Sequence, residues 1–289
     1  MSAVTFRPYR SPEDLDHQYR LWTAATEGLP FAWRSNPTNV RHISAHAAKF
    51  PGARLFAERG GQVVGYIGTH DPFQWKDFGM AVPFGFPWTS PRDEALEREL
   101  YDRMLEATPG VYAGQKIDFY IQRFRRSWKH QHDFLRERGW REAWPDPIMS
   151  RPVSARAGAP KFEKLTEAHI DELVPLAAAD PTALKPAPDA KALRARFTDG
   201  WCEWESAWIV RGAGMVAIEV RKPWAEVKTF YATPAGFEQV VAVADAQASA
   251  LGARELYFTI RPGGEARKPV VEKLGFRHVD DDVFVRLDR

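Results

Sequence analysis

Cysteine is nearly absent from this chain of 289 residues, which contains only Cys202. A single thiol cannot form an internal disulfide or build a thiolate-rich metal site. Long hydrophobic runs are missing as well, since no stretch approaches the ~18 apolar residues of a membrane helix. The first fifteen residues lack the apolar segment of a signal peptide. These absences predict a cytoplasmic protein that has no metal ion and does not contact membranes.

An excess of one charge is also missing. The chain has 40 Lys and Arg against 38 Asp and Glu, so its formal net charge is +2. Nucleic acids select strongly basic surfaces, and nothing here favours them as partners. The GxSxG, P-loop and HExxH motifs are absent, which leaves hydrolases and kinases without support. His130 and His132 point to different faces of their predicted helix and are not expected to share a metal.

Large aromatic side chains, in contrast, are plentiful, with 11 Trp and 18 Phe. Rings of this size favour extensive buried contacts or pockets with aromatic walls. Six of them lie close together in the sequence. They are consistent with the wall of an acceptor pocket and equally with core packing: Phe73, Trp75, Phe78, Phe84, Phe86 and Trp88.

The order of predicted elements is the same in the two halves: β, α, α, β, β, β, α, β, α, β. In the first half the strands are Val4–Arg7, Arg54–Glu58, Val63–Thr69, Phe78–Phe86, Lys116–Phe124 and a stretch after Trp140, and the helices are 11–26, 40–49, 90–106 and 128–138. In the second half the strands are Phe162–Leu165, Trp208–Arg211, Met215–Val220, Val227–Tyr231, Glu255–Ile260 and Val283–Leu287, and the helices are 166–179, 189–197, 233–251 and 265–274.

This repetition predicts two tandem domains of the α/β class, each with a mixed, mostly antiparallel sheet flanked by helices. Residues 153–160 have the composition of a linker. We therefore expect one domain over residues 1–152 and a second over residues 161–289. A duplicated chain is expected to be a monomer that forms its own pseudo-dimer, or a homodimer.

Each half closes with a similar helix ending. Phe134-Leu-Arg-Glu-Arg-Gly-Trp140 and Val270-Val-Glu-Lys-Leu-Gly-Phe276 both place apolar residues before charges, a capping glycine and a returning aromatic residue. These endings resemble the "(F)YEKLGF" helix of the GNAT superfamily of N-acetyltransferases, and the order of elements is similar to that of the family. The resemblance covers nearly the whole chain, once in each half.

The resemblance implies a reaction and a cosubstrate. In such a family an acyl group passes from acetyl-CoA, or a related thioester, to an amine, here an acceptor that is expected to be a small molecule. The strand before the third helix splays away from its neighbour, and the thioester lies in the gap. Backbone N–H groups at the start of the following helix hold the pyrophosphate.

The expected pyrophosphate turns differ from the family's R-x-x-G-x-G/A pattern in both halves. The first turn offers Ser90 and Arg92, and it is followed by several acids. The second offers Thr233, Ala235, Gly236 and Phe237 with a single acid nearby, so it suits an anion better. An ordinary helix start explains either turn equally well.

Candidates for proton transfer lie near the predicted gaps. The tyrosine of the family's motif is replaced by Leu135 and Val271. Glu226 as base and Tyr231 as acid mark the two ends of the predicted splayed strand in the second half. His70 and Asp71 follow a strand in the first half, and they can act as base and orienting group only if their side chains converge.

Two functions remain open from the sequence. One is an N-acyltransferase that uses acyl-CoA. The other is a degenerate pair of domains that binds a ligand or a protein without catalysis, which the missing glycines and tyrosines favour. A third possibility, aminoacyl transfer from tRNA, needs a basic groove that the near-neutral charge does not favour.

Overall fold

The computed structural model describes residues 3–33, 43, 45–75, 78–154, 160–183, 186–198 and 204–289. The chain packs as two compact units. The first comprises Met1–Pro145 and Val283–Arg289, and the second comprises Asp146–Asp282. Cys202 and residues 40–42 of the predicted second helix lie outside the described residues.

The complete strands of the first unit range from two to seven residues in length. Its strands are β1 Val4–Pro8, β2 Arg54–Arg59, β3 Gln62–Gly68, β4 Phe73–Gln74, β5 Met80–Pro83, β6 Trp88–Thr89, β7 Phe119–Arg125 and the start of β8 Arg141–Pro152. Its helices are α1 Glu13–Ala25, α2 Glu94–Val111 and α3 Lys129–Arg136. Residues 45–49 are also helical.

Antiparallel pairing joins β1, β2, β3 and β6 in that order. The strand predicted over Phe78–Phe86 differs in the structure, because the chain changes partner along it. β5 runs parallel to β7 over three residue pairs, whereas β6 runs antiparallel to β3. Pro83 has no N–H to donate, so it ends the first segment.

The second unit continues with β9 Glu163–Lys164, β10 Ala207–Val210, β11 Gly214–Arg221, β12 Trp224–Ala232, β13 Glu255–Thr259 and β14 Arg277–Asp288. Its helices are α4 Ile170–Ala179, α5 Ala190–Thr198, α6 Phe237–Ala250 and α7 Arg267–Lys273. β9, β10, β11 and β12 pair antiparallel in that order, β12 pairs with β13 in parallel, and β13 pairs with β8 antiparallel. One face packs on α6 through a core that includes Phe230, Phe258 and Val240.

The chain enters the second unit inside β8 and returns to the first inside β14. This path differs from the predicted boundary at residues 153–160 and from a second domain that runs to residue 289. The reason lies in where apolar side chains find partners. Met149 of β8 packs in the core of the second unit, whereas Val283 and Val285 pack in the core of the first.

Candidate active site

A wedge-shaped opening lies between β12 and β13 in the second unit. The parallel pairs between these strands end at Glu226 and Tyr257. β12 then continues beside β11 as far as Ala232, while β13 stays paired with β8. The two strands therefore separate beyond Glu226, as the sequence predicts for a splayed strand in this half.

A β-bulge decides which side chains share the face of the sheet opposite α6. Thr229 pairs with Ala217 and Val227 pairs with Ile218, so Lys228 is the extra residue. Strand residues an odd number apart normally point to opposite faces. The bulge shifts this alternation by one, and Glu226 and Tyr231 come to share a face although they are five residues apart.

Glu226 is buried at the closed end of the opening, with 5% of its surface exposed. The Tyr257 hydroxyl donates a hydrogen bond to Glu226 Oε2 over 3.2 Å. Lys228 Nζ lies 3.3 Å from the same oxygen and 3.4 Å from Glu219 Oε2. The ammonium group favours the ionised carboxylate, which is the form that can accept a proton.

The free edge of β12 meets two polar side chains inside the opening. Arg267 Nη2, at the start of α7, donates to the Phe230 carbonyl over 3.3 Å. Asp180 Oδ2 accepts the Ala232 N–H over 3.2 Å and lies 3.5 Å from Arg267 Nη2. Asp180 is fully buried, and burial lowers the pKa of Arg267 against the opposing effect of Asp180.

These two contacts occupy the backbone groups that an extended ligand in the opening would use. The Thr233 N–H bonds to the Ala213 carbonyl on the β11 side. Backbone groups of successive strand residues point to opposite sides, so the Ala232 N–H and the Phe230 carbonyl face the opening. Sequence reasoning missed Asp180 and Arg267. They are 87 residues apart, and no local pattern links them.

The turn from β12 into α6 leaves the helix start without a side-chain cap. The Gly236 N–H bonds to the Thr233 carbonyl and hydroxyl, and Ala235 is exposed. A Cβ on Gly236 would lie 2.5 Å from the Ala213 carbonyl oxygen. Packing therefore explains this glycine. Phe237, the first helical residue, is buried against Phe230. The turn can offer backbone N–H groups to an anion.

The corresponding opening in the first unit is filled by aromatic rings. β7 continues beyond its last pair with β5, and the Gln122 amide donates to the Phe84 carbonyl over 2.7 Å. Phe86 and Trp88 contact Phe124, with ring centroids 5.7 and 6.4 Å apart. All three rings are buried. Core packing thus accounts for Phe84, Phe86 and Trp88 of the aromatic group.

Carboxylate side chains already lie at the start of α2 in this unit. Asp93 caps the helix by accepting the Leu96 N–H over 3.1 Å. Arg92 donates to Glu94 and to His130 Nδ1, both over 2.6 Å.

His130 Nε2 then meets buried Glu97 at 2.8 Å. Ser90 uses its N–H on the Val64 carbonyl. With a carboxylate at the cap, this helix start is a poorer site for a phosphate than the start of α6.

The other predicted pair, His70 and Asp71, does not share a hydrogen bond among the described residues. His70 Nε2 lies 3.2 Å from Arg54 Nη2, and Asp71 Oδ1 lies 3.7 Å from His46 Nε2. The two side chains therefore engage different partners. No group of three or more His, Cys, Asp or Glu in the described parts of the chain has the arrangement of a metal site. Over the same ranges no helix is long and apolar enough to cross a membrane.

Solved structures share this fold. A tandem GNAT protein from the clavulanic acid biosynthesis pathway matches over 99% of this chain and 98% of its own, with a TM-score of 0.62 and 14% identity. A GNAT-family acetyltransferase from Colwellia psychrerythraea matches over 98% and 100%, with a TM-score of 0.57 and 10% identity. A GCN5-related N-acetyltransferase from Sphaerobacter thermophilus matches over 99% and 95%, with a TM-score of 0.52 and 13% identity.

No family model matches the sequence. No curated protein matches it either. At these low identities the structural matches establish the fold and nothing further. The α/β class and the tandem GNAT fold expected from the sequence are confirmed.

Proposed function

We propose that this protein is an N-acyltransferase that moves an acyl group from a CoA thioester to the amine of a small acceptor, with the donor site in the second unit. One observation carries the proposal: β12 leaves β13 at Glu226 and leads directly to the start of α6, whose cap residue Gly236 has no side chain of its own. An opening of this kind accepts an extended thioester arm, and the uncapped helix start accepts its pyrophosphate.

The backbone N–H groups of Ala235 and Phe237 are the proposed phosphate ligands in this scheme. Thr233 and Gly236, whose N–H groups bond to the Ala213 and Thr233 carbonyls, hold the turn that presents them. Arg267 is a cation at the same opening and exchanges its contact with the Phe230 carbonyl for one with the donor. Because Arg267 and Asp180 occupy the β12 edge in the free protein, donor binding has to displace them. This exchange lowers the apparent affinity for the donor.

The proposed chemistry uses two groups on the shared face of the sheet. The amine nitrogen attacks the thioester carbonyl carbon and transfers its proton to the Glu226 carboxylate. The C–S bond then breaks, and the departing thiolate takes a proton from the Tyr231 hydroxyl. Glu226 then releases its proton to solvent and the phenolate regains one from solvent, which restores both groups. The Lys228 ammonium group, 3.3 Å from Glu226 Oε2, balances the negative charge of the carboxylate.

Titration calorimetry with acetyl-CoA tests the donor site. Ala235→Glu adds a carboxylate beside the uncapped start of α6, and Ala95→Glu adds the same charge at the start of α2. Both alanines are exposed, so both variants should fold. We expect Ala235→Glu to weaken binding at least about tenfold and Ala95→Glu to leave it unchanged. Absence of heat at millimolar acetyl-CoA, or equal weakening by both variants, would contradict the proposal.

The capped edge of β12 also favours a second function, a ligand-binding protein without acyl transfer. In that case Arg267 and Asp180 keep their contacts with the β12 edge when a ligand binds, so an acyl group cannot align along that strand. Release of free thiol from acetyl-CoA, measured with a panel of small amines, separates the two functions. Turnover that falls in Glu226→Gln supports the transferase, whereas donor binding without turnover for any amine supports the second function.

A further inference from the structure

An arginine without a counter-ion is buried in the first unit. Arg54 is the first residue of β2, and only 2% of its surface is exposed. Its guanidinium donates to the backbone carbonyls of Ala53 and Thr69 and contacts His70 Nε2 at 3.2 Å. None of the described carboxylates lies within ion-pair distance of it. Buried charges in proteins are normally paired, so this one needs an explanation.

The groups around Arg54 are neutral hydrogen-bonding side chains. An arginine can only donate, so His70 Nε2 accepts and the ring is uncharged in this state. The Tyr112 hydroxyl lies 3.0 Å from Thr69 Oγ1 and 3.3 Å from His46 Nε2. We name Arg54, His46, His70, Thr69 and Tyr112 the Arg54 cluster.

Two atoms of the Arg54 cluster are buried without hydrogen-bond partners, His46 Nδ1 and Arg54 Nε. Burial, together with the positive charge of Arg54, lowers the pKa of His46 to about 4. The pKa of Arg54 is itself lowered to about 10 by burial. The cluster therefore combines one fixed positive charge with two unused hydrogen-bonding positions.

A ligand would reach Arg54 from the side that the ring of His70 covers. His70 is exposed to solvent while its Nε2 rests on the guanidinium. A ligand that moves this ring aside reaches Arg54 Nη2 directly. Asp71 stands beside the entrance with 55% of its side chain exposed, where water screens most of its interaction with the cluster.

From these contacts we propose that the Arg54 cluster binds the carboxylate group of a small organic acid. One guanidinium among neutral rings balances a single negative charge. A dianion would leave one negative charge without a counter-charge at the site, which disfavours doubly charged phosphate. A planar carboxylate also matches the guanidinium plane. The site lies wholly in the first unit and does not depend on acyl transfer.

The experiment uses sodium acetate as the probe and follows the ring resonances of the histidines by NMR at about pH 8, where phosphate is mostly a dianion. Acetate should shift the signals of His46 and His70 and leave those of His278, an exposed histidine of the second unit, unchanged. Sodium chloride and phosphate at matched ionic strength are the comparison salts. Phosphate should bind at least about tenfold more weakly than acetate.

The matching variant is Arg54→Met, which keeps an unbranched side chain and removes the charge. It should weaken acetate binding at least about tenfold. If Arg54→Met does not fold, His46→Gln takes its place, with an expected loss of about fivefold. The proposal is overturned if ~100 mM acetate shifts neither His46 nor His70, if phosphate binds as tightly as acetate, or if the folded variant binds acetate like the parent.

Discussion

The unpaired charge of Arg54 leads to a prediction about stability that can be compared with a paired arginine in the same chain. Arg151 is also buried, but it forms an ion pair with fully buried Asp245 and donates to the Leu274 carbonyl. We therefore compare Arg54→Met with Arg151→Met in the absence of added carboxylates. Both variants lose an arginine side chain. Arg151 forms an ion pair with a carboxylate, whereas Arg54 forms none with the described residues.

The expected magnitudes follow from the contacts. Burial lowers the pKa of Arg54 from 12.5 to about 10. A folded-state pKa below the unfolded value means that the charged form opposes folding, and at pH 7 the full penalty of about 3 kcal/mol applies. Methionine removes this penalty. It also removes donors from two backbone carbonyls and His70, at about 1 kcal/mol each, so the net change should be near zero.

Arg151→Met, in contrast, removes the cation that forms an ion pair with the fully buried Asp245 carboxylate. Breaking a buried pair in this way costs about 3–5 kcal/mol. Urea unfolding at pH 7, followed by tryptophan fluorescence and far-UV circular dichroism, measures both variants. A loss of more than ~3 kcal/mol in Arg54→Met, or equal losses in the two variants, would refute the reasoning about the unpaired charge.

Three further predictions concern other sites. The pKa of His46 is lowered to about 4, so the unfolded chain binds this proton first. Stability should fall by about 3 kcal/mol as the pH drops from 6.5 to 4, and urea unfolding of His46→Gln should show a smaller fall. Gly214→Ala places a Cβ 2.1 Å from the Tyr231 carbonyl oxygen and should lower the free energy of unfolding by more than ~2 kcal/mol. Gly110→Ala in α2 has free space around its Cβ and should raise the free energy of unfolding by about 0.5 kcal/mol or more. Thermal melts compare the two variants. Glu226→Gln should fold normally and lower kcat by about a hundredfold or more, and an unchanged kcat would exclude Glu226 as the base.

The local parts of the fold could be predicted from the sequence because they depend on neighbouring residues. Gly139 and Gly275 follow the closing helices with φ values of 82° and 86°, as the two endings predict. The hairpin of β2 and β3 and the splayed β12 also agree with their predicted places. Each of these features depends on a turn or a periodic pattern that is visible within a dozen residues.

Features that depend on distant partners could not be predicted. The apolar alternation in β14 shows that Val283 and Val285 are buried, but not which core receives them. Nothing beside Arg54 in the sequence shows that its side chain turns inward, because a charged residue at the start of a strand is usually exposed. The contact between Asp180 and Arg267 likewise joins the end of α4 to the start of α7, far apart in the chain. The sequence predicts Glu226 and Tyr231 at the two ends of a splayed strand. The bulge that brings their side chains to one face of the sheet is visible only in the structure.

Strand β14 has a consequence for the order of events during protein synthesis. Val283 and Val285 complete the core of the first unit, yet the ribosome adds them after the whole of the second unit. A nascent chain that has emerged through residue 282 therefore still presents an unfinished amino-terminal half. Translation errors or proteolytic cuts within residues 283–289 should damage the half of the molecule that was made first.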